Sequence, residues 1–121
     1  MSYLPIYKTL KESPAVVAFL GIEPRVFEDV APVGAEVPYV VWQELGGKSL
    51  NYIDNMLADN DEVMYQVKVY DTKANRASEV RTAVRKALEL YCFIMNPRIS
   101  GVDPQTKQYF RGFDASWIHE A

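Results

Sequence analysis

The chain has 121 residues, of which 49% are hydrophobic and 24% charged, with a formal net charge of −3. This length and composition indicate one folded domain with its own core and exclude a disordered chain. The acidic balance argues against a general nucleic-acid binder. The chain has a single cysteine, Cys92, which excludes an internal disulfide and a Cys/His zinc site. Without a signal-like start or an apolar run of about 18 residues, we expect a cytoplasmic protein with no membrane partner.

The first third of the chain predicts two short helices and a first strand. Apolar side chains recur at helical spacing in residues 4–10. Ser13 followed by Pro14 is typical of the cap and the first position of a second helix, and Gly21 is suited to end it. Residues 25–30 then alternate as a strand does.

The most regular part of the chain lies between residues 39 and 91. Residues 39–45 are rich in β-branched and aromatic side chains, which predicts a strand inside a sheet. Residues 63–70 alternate as a half-buried strand does, and residues 74–91 then take the period of an amphipathic helix with a basic outer side. We expect the core to run through seven apolar residues: Val41, Val67, Val69, Val80, Val84, Leu88 and Trp117.

Residues 46–62 break this regular pattern and predict a long mobile loop that serves as a working surface. The segment combines two glycines with repeated Asn and Asp. Its apolar residues suggest that a partner covers it: Leu50, Tyr52, Ile53, Met56 and Leu57. The carboxylates of Asp59, Asp61 and Glu62 could chelate a hard cation, but their spacing does not follow the calcium-loop pattern, so we interpret them as a solvated acidic loop.

The end of the chain predicts two further strands. An apolar stretch at residues 92–95 continues from the helix until Asn96 and Pro97 break it, and residues 98–102 follow as a strand. Turn residues come next, and the last strand begins at residue 109.

No group of residues carries a recognisable catalytic pattern. His119 lies near the C-terminus and is interpreted as exposed and idle, while Cys92 is interpreted as a buried, inert thiol. The Gly46–Ser49 stretch lacks the first, spaced glycine of a phosphate-binding loop. We therefore expect no enzymatic activity, no cofactor and no metal.

Charge is distributed unevenly along the chain. Residues 44–62 carry five acidic side chains against Lys48, and residues 73–89 carry five basic side chains against two acidic ones. The basic side could contact nucleic acid, water or an acidic neighbouring subunit, and the two opposite patches suit a head-to-tail contact. The candidate interface residues are Glu44, Leu50, Tyr52, Ile53, Met56, Leu57, Asp59, Asp61, Glu62, Arg76, Arg81 and Arg85.

Several segments together resemble one protein family. They include the Pro-Tyr-Val-Val-Trp-Gln strand at residues 38–43, the strand and basic helix at 65–88, and the Tyr-to-Trp segment at 108–117. In these segments and their order, the chain resembles the tail-completion or tail-terminator family of long-tailed bacteriophages, including minor tail protein U-like components of prophages. The similarity covers nearly the whole chain.

The resemblance implies a fold, a role and partners. The fold would be α/β (α+β), a single small domain over residues 1–121 with a mixed, mostly antiparallel sheet and helices packed on one face. The protein would be monomeric or weakly associated when free. In the virion tail it would form a hexameric ring that contacts the tail tube protein and a head-completion protein, without binding specific nucleic-acid sequences. Another head-tail connector component and a small non-enzymatic binding or regulatory module stay open as alternatives.

Overall fold

The computed structural model describes residues 4–50 and 60–120, except for the side chains of residues 48–50, 60, 61, 119 and 120. Three helices and five strands occur in this part of the chain. In order they are α1 (Ile6–Lys11), α2 (Pro14–Leu20), β1 (Val26–Glu28), β2 (Tyr39–Leu50), β3 (Asn60–Asp71), α3 (Ala74–Leu88), β4 (Phe93–Val102) and β5 (Tyr109–Glu120).

The strands form one mixed sheet in the order β1-β2-β3-β5-β4. Only the β1–β2 pair is parallel, and the other three pairs are antiparallel. The helix α3 packs on β3 and β5, and α1 and α2 pack against α3. The predicted α+β domain with a mixed, mostly antiparallel sheet and helices on one face is confirmed.

The second helix begins and ends at the residues that the sequence predicts. The Ser13 hydroxyl accepts a hydrogen bond from the Val16 amide at 3.4 Å, which satisfies one of the free N–H groups of the first turn. Gly21 ends the helix with a φ of 95°, a conformation that glycine adopts without the steric cost of a Cβ. These two residues place Val16 and Leu20 in the core.

The core lies between the sheet and the helices, and six of its seven predicted residues are buried. Val67 and Val69 alternate with polar neighbours along β3, and Val80, Val84 and Leu88 form the inner side of α3. Trp117, on β5, is also buried in this core. Each fully buried side chain of this kind contributes roughly 1.5–3 kcal/mol to folding.

The prediction for Val41 is wrong, because the neighbouring residues Val40 and Trp42 are the buried ones. The register with β3 pairs Val40 with Val69 and therefore turns both toward the helices. Alternation then places Val41 on the other face of the sheet. Because β2 carries apolar residues on both faces, the sequence pattern does not show which of the two faces is buried.

The predicted boundaries of the loop at residues 46–62 are also wrong. The strand β2 continues to Leu50 and β3 begins at Asn60. The register shifts once, between Glu44 and Gly46, and the pairing then continues regularly, with Lys48 opposite Glu62. The end of β5 pairs with the same part of β3, so the backbone is hydrogen-bonded on both sides there. Pairing satisfies backbone groups whatever the side chains are, which explains how this polar stretch forms strands.

We call the paired segments 46–50, 60–62 and 118–120 the β arm. The arm extends the sheet beyond Val63 and Trp117, the nearest residues that pack on the core. Residues 51–59, with Tyr52, Ile53, Met56, Leu57 and Asp59, lie outside the described part of the chain.

The strand β4 is longer than predicted, since it runs without interruption through Asn96 and Pro97. Its register with β5 shifts on both sides of Asn96. Proline has no N–H to donate, but it is tolerated at an irregular position of an edge strand. The strand β4 is such an edge, and β1 is the edge at the opposite end of the sheet.

Candidate assembly surfaces

A basic groove of about 460 Å³ runs between α3 and the edge strand β4. Five of its lining residues are charged, and four of these five are basic. The lining residues are Ser78, Arg81, Thr82, Arg85, Lys86, Glu89, Pro97 and Arg98.

The groove holds more positive charge than its own carboxylate can balance. Glu89, the one carboxylate among the described lining residues, accepts a hydrogen bond from the Arg85 Nε at 3.3 Å. Arg81 donates to the backbone carbonyl of Ile99 at 3.3 Å, so its partner there is uncharged. Burial lowers the pKa of Arg81, and the positive charges of Arg98, Arg111 and Arg85 lower this pKa further.

Arg111 adds a fifth positive charge beside the groove. Its guanidinium donates to the carbonyls of Phe110 at 2.9 Å and Gly101 at 3.3 Å, which orients the side chain without neutralising it. Neither Arg98 nor Arg111 was among the candidate residues from the sequence. The alternation of β5 places Arg111 on the helix side with Phe113, and this signal could have identified it.

Arg76, by contrast, is engaged inside the domain. Its guanidinium donates to both carboxylate oxygens of Asp71, which is fully buried at the end of β3. Burial by itself would raise the pKa of Asp71, but the hydrogen bonds from Arg76 and from the Lys73 amide hold it below its ordinary value. The charge of Arg76 is therefore already balanced by an internal partner.

Three of the predicted acidic residues, Glu44, Asp61 and Glu62, belong to the described parts of β2 and β3. Glu44 is exposed on β2, just before the arm begins. Glu62 accepts a hydrogen bond from the Ser116 hydroxyl at 3.0 Å, and Asp61 is paired with Ser49 and His119 in the sheet. Glu62 therefore already has a hydrogen-bonding partner within its own domain.

Both edges of the sheet carry exposed apolar side chains. At the β4 edge, Phe93 is 70% exposed and Met95 is 53% exposed. In the segments that flank β1, Ile22 is 82% exposed and Val30 is 76% exposed. Exposed apolar side chains at or beside an unpaired strand edge are typical of a surface that another protein covers.

The face of the sheet opposite the helices carries a row of aromatic rings. Tyr39 stacks on Tyr70 at 5.3 Å between ring centroids and contacts the edge of Phe27 at 6.3 Å. Tyr70 in turn contacts Phe110 at 6.1 Å, and the Lys68 ammonium lies 4.8 Å from the Phe110 centroid. This row couples β1, β2, β3 and β5 on the side that no described helix covers.

The described residues do not form a metal site. They contain no cluster of three or more His, Cys, Asp or Glu side chains that could hold a metal ion. Burial raises the pKa of the Cys92 thiol, which keeps it protonated and poorly nucleophilic at neutral pH. The side chain of His119 lies outside the described part, and no described helix is long and apolar enough to cross a membrane.

An α+β domain that exposes apolar sheet edges and an unbalanced charged groove has the surface of a protein that assembles with others. A sequence model of the family described as Tail completion protein gp17 matches residues 5–119. The chain therefore belongs to this family of tail completion proteins, which confirms the resemblance seen in the sequence. Its role is that of a structural or assembly component of a phage tail.

A solved structure has the same fold. A chain in the structure described as the virion of a native gene transfer agent particle superposes with a TM-score of 0.70 and 13% sequence identity. The match covers 96% of this chain and 92% of that chain. No curated protein matches the chain. At this identity the structural match establishes the fold alone.

Proposed function

We propose that the protein caps the end of a phage tail tube as a hexameric ring, stops tube growth and joins the tail to the head. Membership in the tail completion family supports a tail assembly role. The ring and its two contacts, with the tube protein and with a head-completion protein, are the proposal. The protein would be a virion tail component that assembles in the host cytoplasm.

The observation that carries the proposal is the pair of uncovered, apolar edges at opposite ends of the strand order. A contact between two different surfaces of identical subunits closes into a ring when the rotation between subunits permits. Phe93 at the β4 edge and Val30 beside the β1 edge belong to two such surfaces. Burying both would remove exposed apolar area from water at each subunit contact.

The proposal is non-enzymatic, because the described surfaces suit association and not chemistry. The thiol of Cys92 is kept protonated by burial, and the charged residues of the groove are mostly of one sign. A groove with charges mostly of one sign attracts an oppositely charged protein surface and guides its orientation.

The test uses tail tubes assembled without this protein. Added wild-type protein should bind tube ends as rings, which electron microscopy would show, and should stop further elongation by tube protein. A Phe93→Asp/Met95→Asp variant should lower the amount bound by at least about tenfold, because it places two charges in an apolar contact. The control is Tyr7→Asp, which changes an exposed apolar residue of α1 that lies on neither sheet edge.

The outcomes separate the alternatives. Wild-type protein that leaves tube ends bare and tube growth unchanged would contradict the proposal. Binding to head particles but not to tube ends would identify another head-tail connector component, and binding to neither would favour a binding or regulatory module.

A further inference from the structure

We propose that the outer side of α3 binds an acidic amphipathic helix of a different protein of the virion. Apolar side chains of that helix would enter a groove beside α1 and α2, and its carboxylates would enter the basic groove beside β4. The proposal rests on the proposed function, because it takes the partner to be one of the proteins that this chain joins in the assembled tail. It adds the binding surface and the chemistry of the partner segment.

Two grooves lie on either side of the exposed residues of α3. Besides the basic groove, a groove of about 350 Å³ lies between α1, α2 and the end of α3. Lys86 lines both grooves, so the two are neighbours and present one surface. Apart from Lys86, the one charged residue in the described lining of the 350 Å³ groove is Glu12, at the end of α1. We call this groove the apolar groove.

The apolar groove suits apolar side chains of a partner. The side chains of Ala83 and Ala87 are short, which leaves space between α3 and the first two helices. At the end of the groove Leu90 is 77% exposed, and the ring of Tyr91 stacks on Trp117 with 6.1 Å between ring centroids. A partner side chain in this groove would cover Leu90 and remove apolar area from water.

The basic groove holds cations that lack acidic partners. Lys86 and Arg98 are exposed, and neither forms a hydrogen bond or an ion pair with another described residue. Arg81 donates to the carbonyl of Ile99, which orients its guanidinium without neutralising it. Carboxylates that enter the groove would balance these charges and could form paired hydrogen bonds with a guanidinium.

The combination of the two grooves favours a protein over a nucleic acid. Phosphates would balance Lys86 and Arg98, but a phosphate backbone would leave Leu90 and the apolar groove in contact with water. A helix about 10 Å wide that is apolar on one side and acidic on the other would fit both grooves at once. Binding of an amphipathic helix along a groove is a common mode of protein recognition.

The described helices of this chain do not include such an acidic helix. The helix α1 carries Lys8 and Lys11 without an acidic residue, and α2 carries no charged residue. The helix α3 carries four basic residues against Glu79. A second copy would therefore bring a neutral or basic helix to a basic groove, where like charges repel. The partner that fits is a different protein.

The test places a photoreactive residue on this surface in assembled virions. Thr82 is exposed one turn before Lys86 and lines the basic groove, so p-benzoylphenylalanine at this position would link to a partner that lies there. Mass spectrometry should identify the linked peptide as a segment of a different virion protein, with carboxylates and apolar residues at helical spacing. The control is the same residue at Gln43, which is exposed on the opposite face of the sheet and should not link to that segment.

Two variants test the two grooves separately. Lys86→Glu/Arg98→Glu reverses charges in the basic groove, and Leu90→Asp places a charge at the apolar groove. All three residues are exposed, so both proteins should fold. Each variant should lower the yield of the link by at least about tenfold, because each removes one half of the recognition. The control is Lys8→Glu/Lys11→Glu, a charge reversal on α1 outside both grooves, which should keep the wild-type yield.

A link from Thr82 to nucleic acid, to another copy of this chain or to a segment without carboxylates would overturn the proposal, and so would the absence of any link. An unchanged yield in either groove variant would also overturn it. Any of these results in virions whose tails are capped normally would leave the proposed function standing. The expected link in particles whose tube ends carry no ring of this protein would support this inference and contradict the proposed function.

Discussion

The guanidinium of Arg76 donates two hydrogen bonds to the buried carboxylate of Asp71, and one of them is 2.7 Å long. The same carboxylate accepts a hydrogen bond from the Lys73 amide at the start of α3. The pair thus joins the end of the central strand β3 to the first turn of the helix that covers it. Its consequence is structural, because it fixes the connection between the two elements that form most of the core.

Replacing Asp71 by Asn should lower the free energy of unfolding at neutral pH by about 1–3 kcal/mol, since charge-assisted hydrogen bonds to Arg76 are lost. The folded-state pKa of Asp71 is lowered, so its stabilisation is complete above the unfolded-state pKa of about 4 and is lost as the pH falls through the folded value. Urea unfolding at several pH values should therefore show the difference between variant and wild type narrowing in acid. A constant difference would contradict this role.

The inner side of α3 can be tested with one charge. Val84→Asp should place an unpaired carboxylate in the core and unfold the domain, because Val84 is fully buried. The control is Thr82→Asp, two residues away on the exposed side of the helix, which should melt close to the wild type. A soluble, cooperatively melting Val84→Asp protein would show that the helix packs on a different side.

The register of β2 can be tested by truncating two adjacent valines. Val40→Ala should cost about 2–3 kcal/mol because the residue is fully buried, whereas Val41→Ala should cost less than about 1 kcal/mol because it lies on the uncovered face. Denaturant titration of both variants measures the comparison. Equal losses would disagree with this register.

Sequence reasoning predicted the elements in which one period dominates. The alternation of β3 and the helical period of α3 are each imposed by a single buried face, so the pattern of apolar residues follows the structure directly. The caps of α2 were predicted because Ser13, Pro14 and Gly21 each act through local backbone geometry. Local signals of this kind are fully present in the sequence.

The parts that could not be predicted depend on distant partners. Gly46 to Leu50 is a strand because β3 supplies hydrogen bonds along it, and no local propensity of these residues signals that pairing. The basic groove likewise gains Arg98 only because β4 returns to the edge beside α3. The pattern of residues 74–91 predicted the basic side of α3. The contribution of β4 to the groove could not be predicted, because it depends on the order of the strands in the sheet.

Tyr65 gives a test of a buried polar group. Among the described residues, its fully buried hydroxyl has no hydrogen-bond partner of ordinary geometry, although the Cys92 thiol lies beside it, and burial raises the pKa of the phenol. Tyr65→Phe removes only this hydroxyl, so thermal unfolding should show unchanged stability or a gain of up to about 1 kcal/mol. A clear loss of stability would show that the hydroxyl has a partner. Tyr65→Leu is the control that removes the ring contacts with Trp42 and Trp117 and should be destabilising.

The β arm lies beyond the core residues Val63 and Trp117, so we expect that it can be removed without disturbing the core. The irregularity between Glu44 and Gly46, where Gly46 has a φ of 152°, marks the boundary between the core part of β2 and the arm. Replacing residues 48–60 with a short glycine–serine linker should therefore leave a folded protein whose melting temperature is close to that of the wild type. The shortened protein should fail to cap tail tubes if this segment supplies the contact with a neighbouring copy or with the tube, as we propose. Circular dichroism and the tube-binding assay measure the two properties separately, and a shortened protein that completed tails normally would rule out an assembly role for the arm.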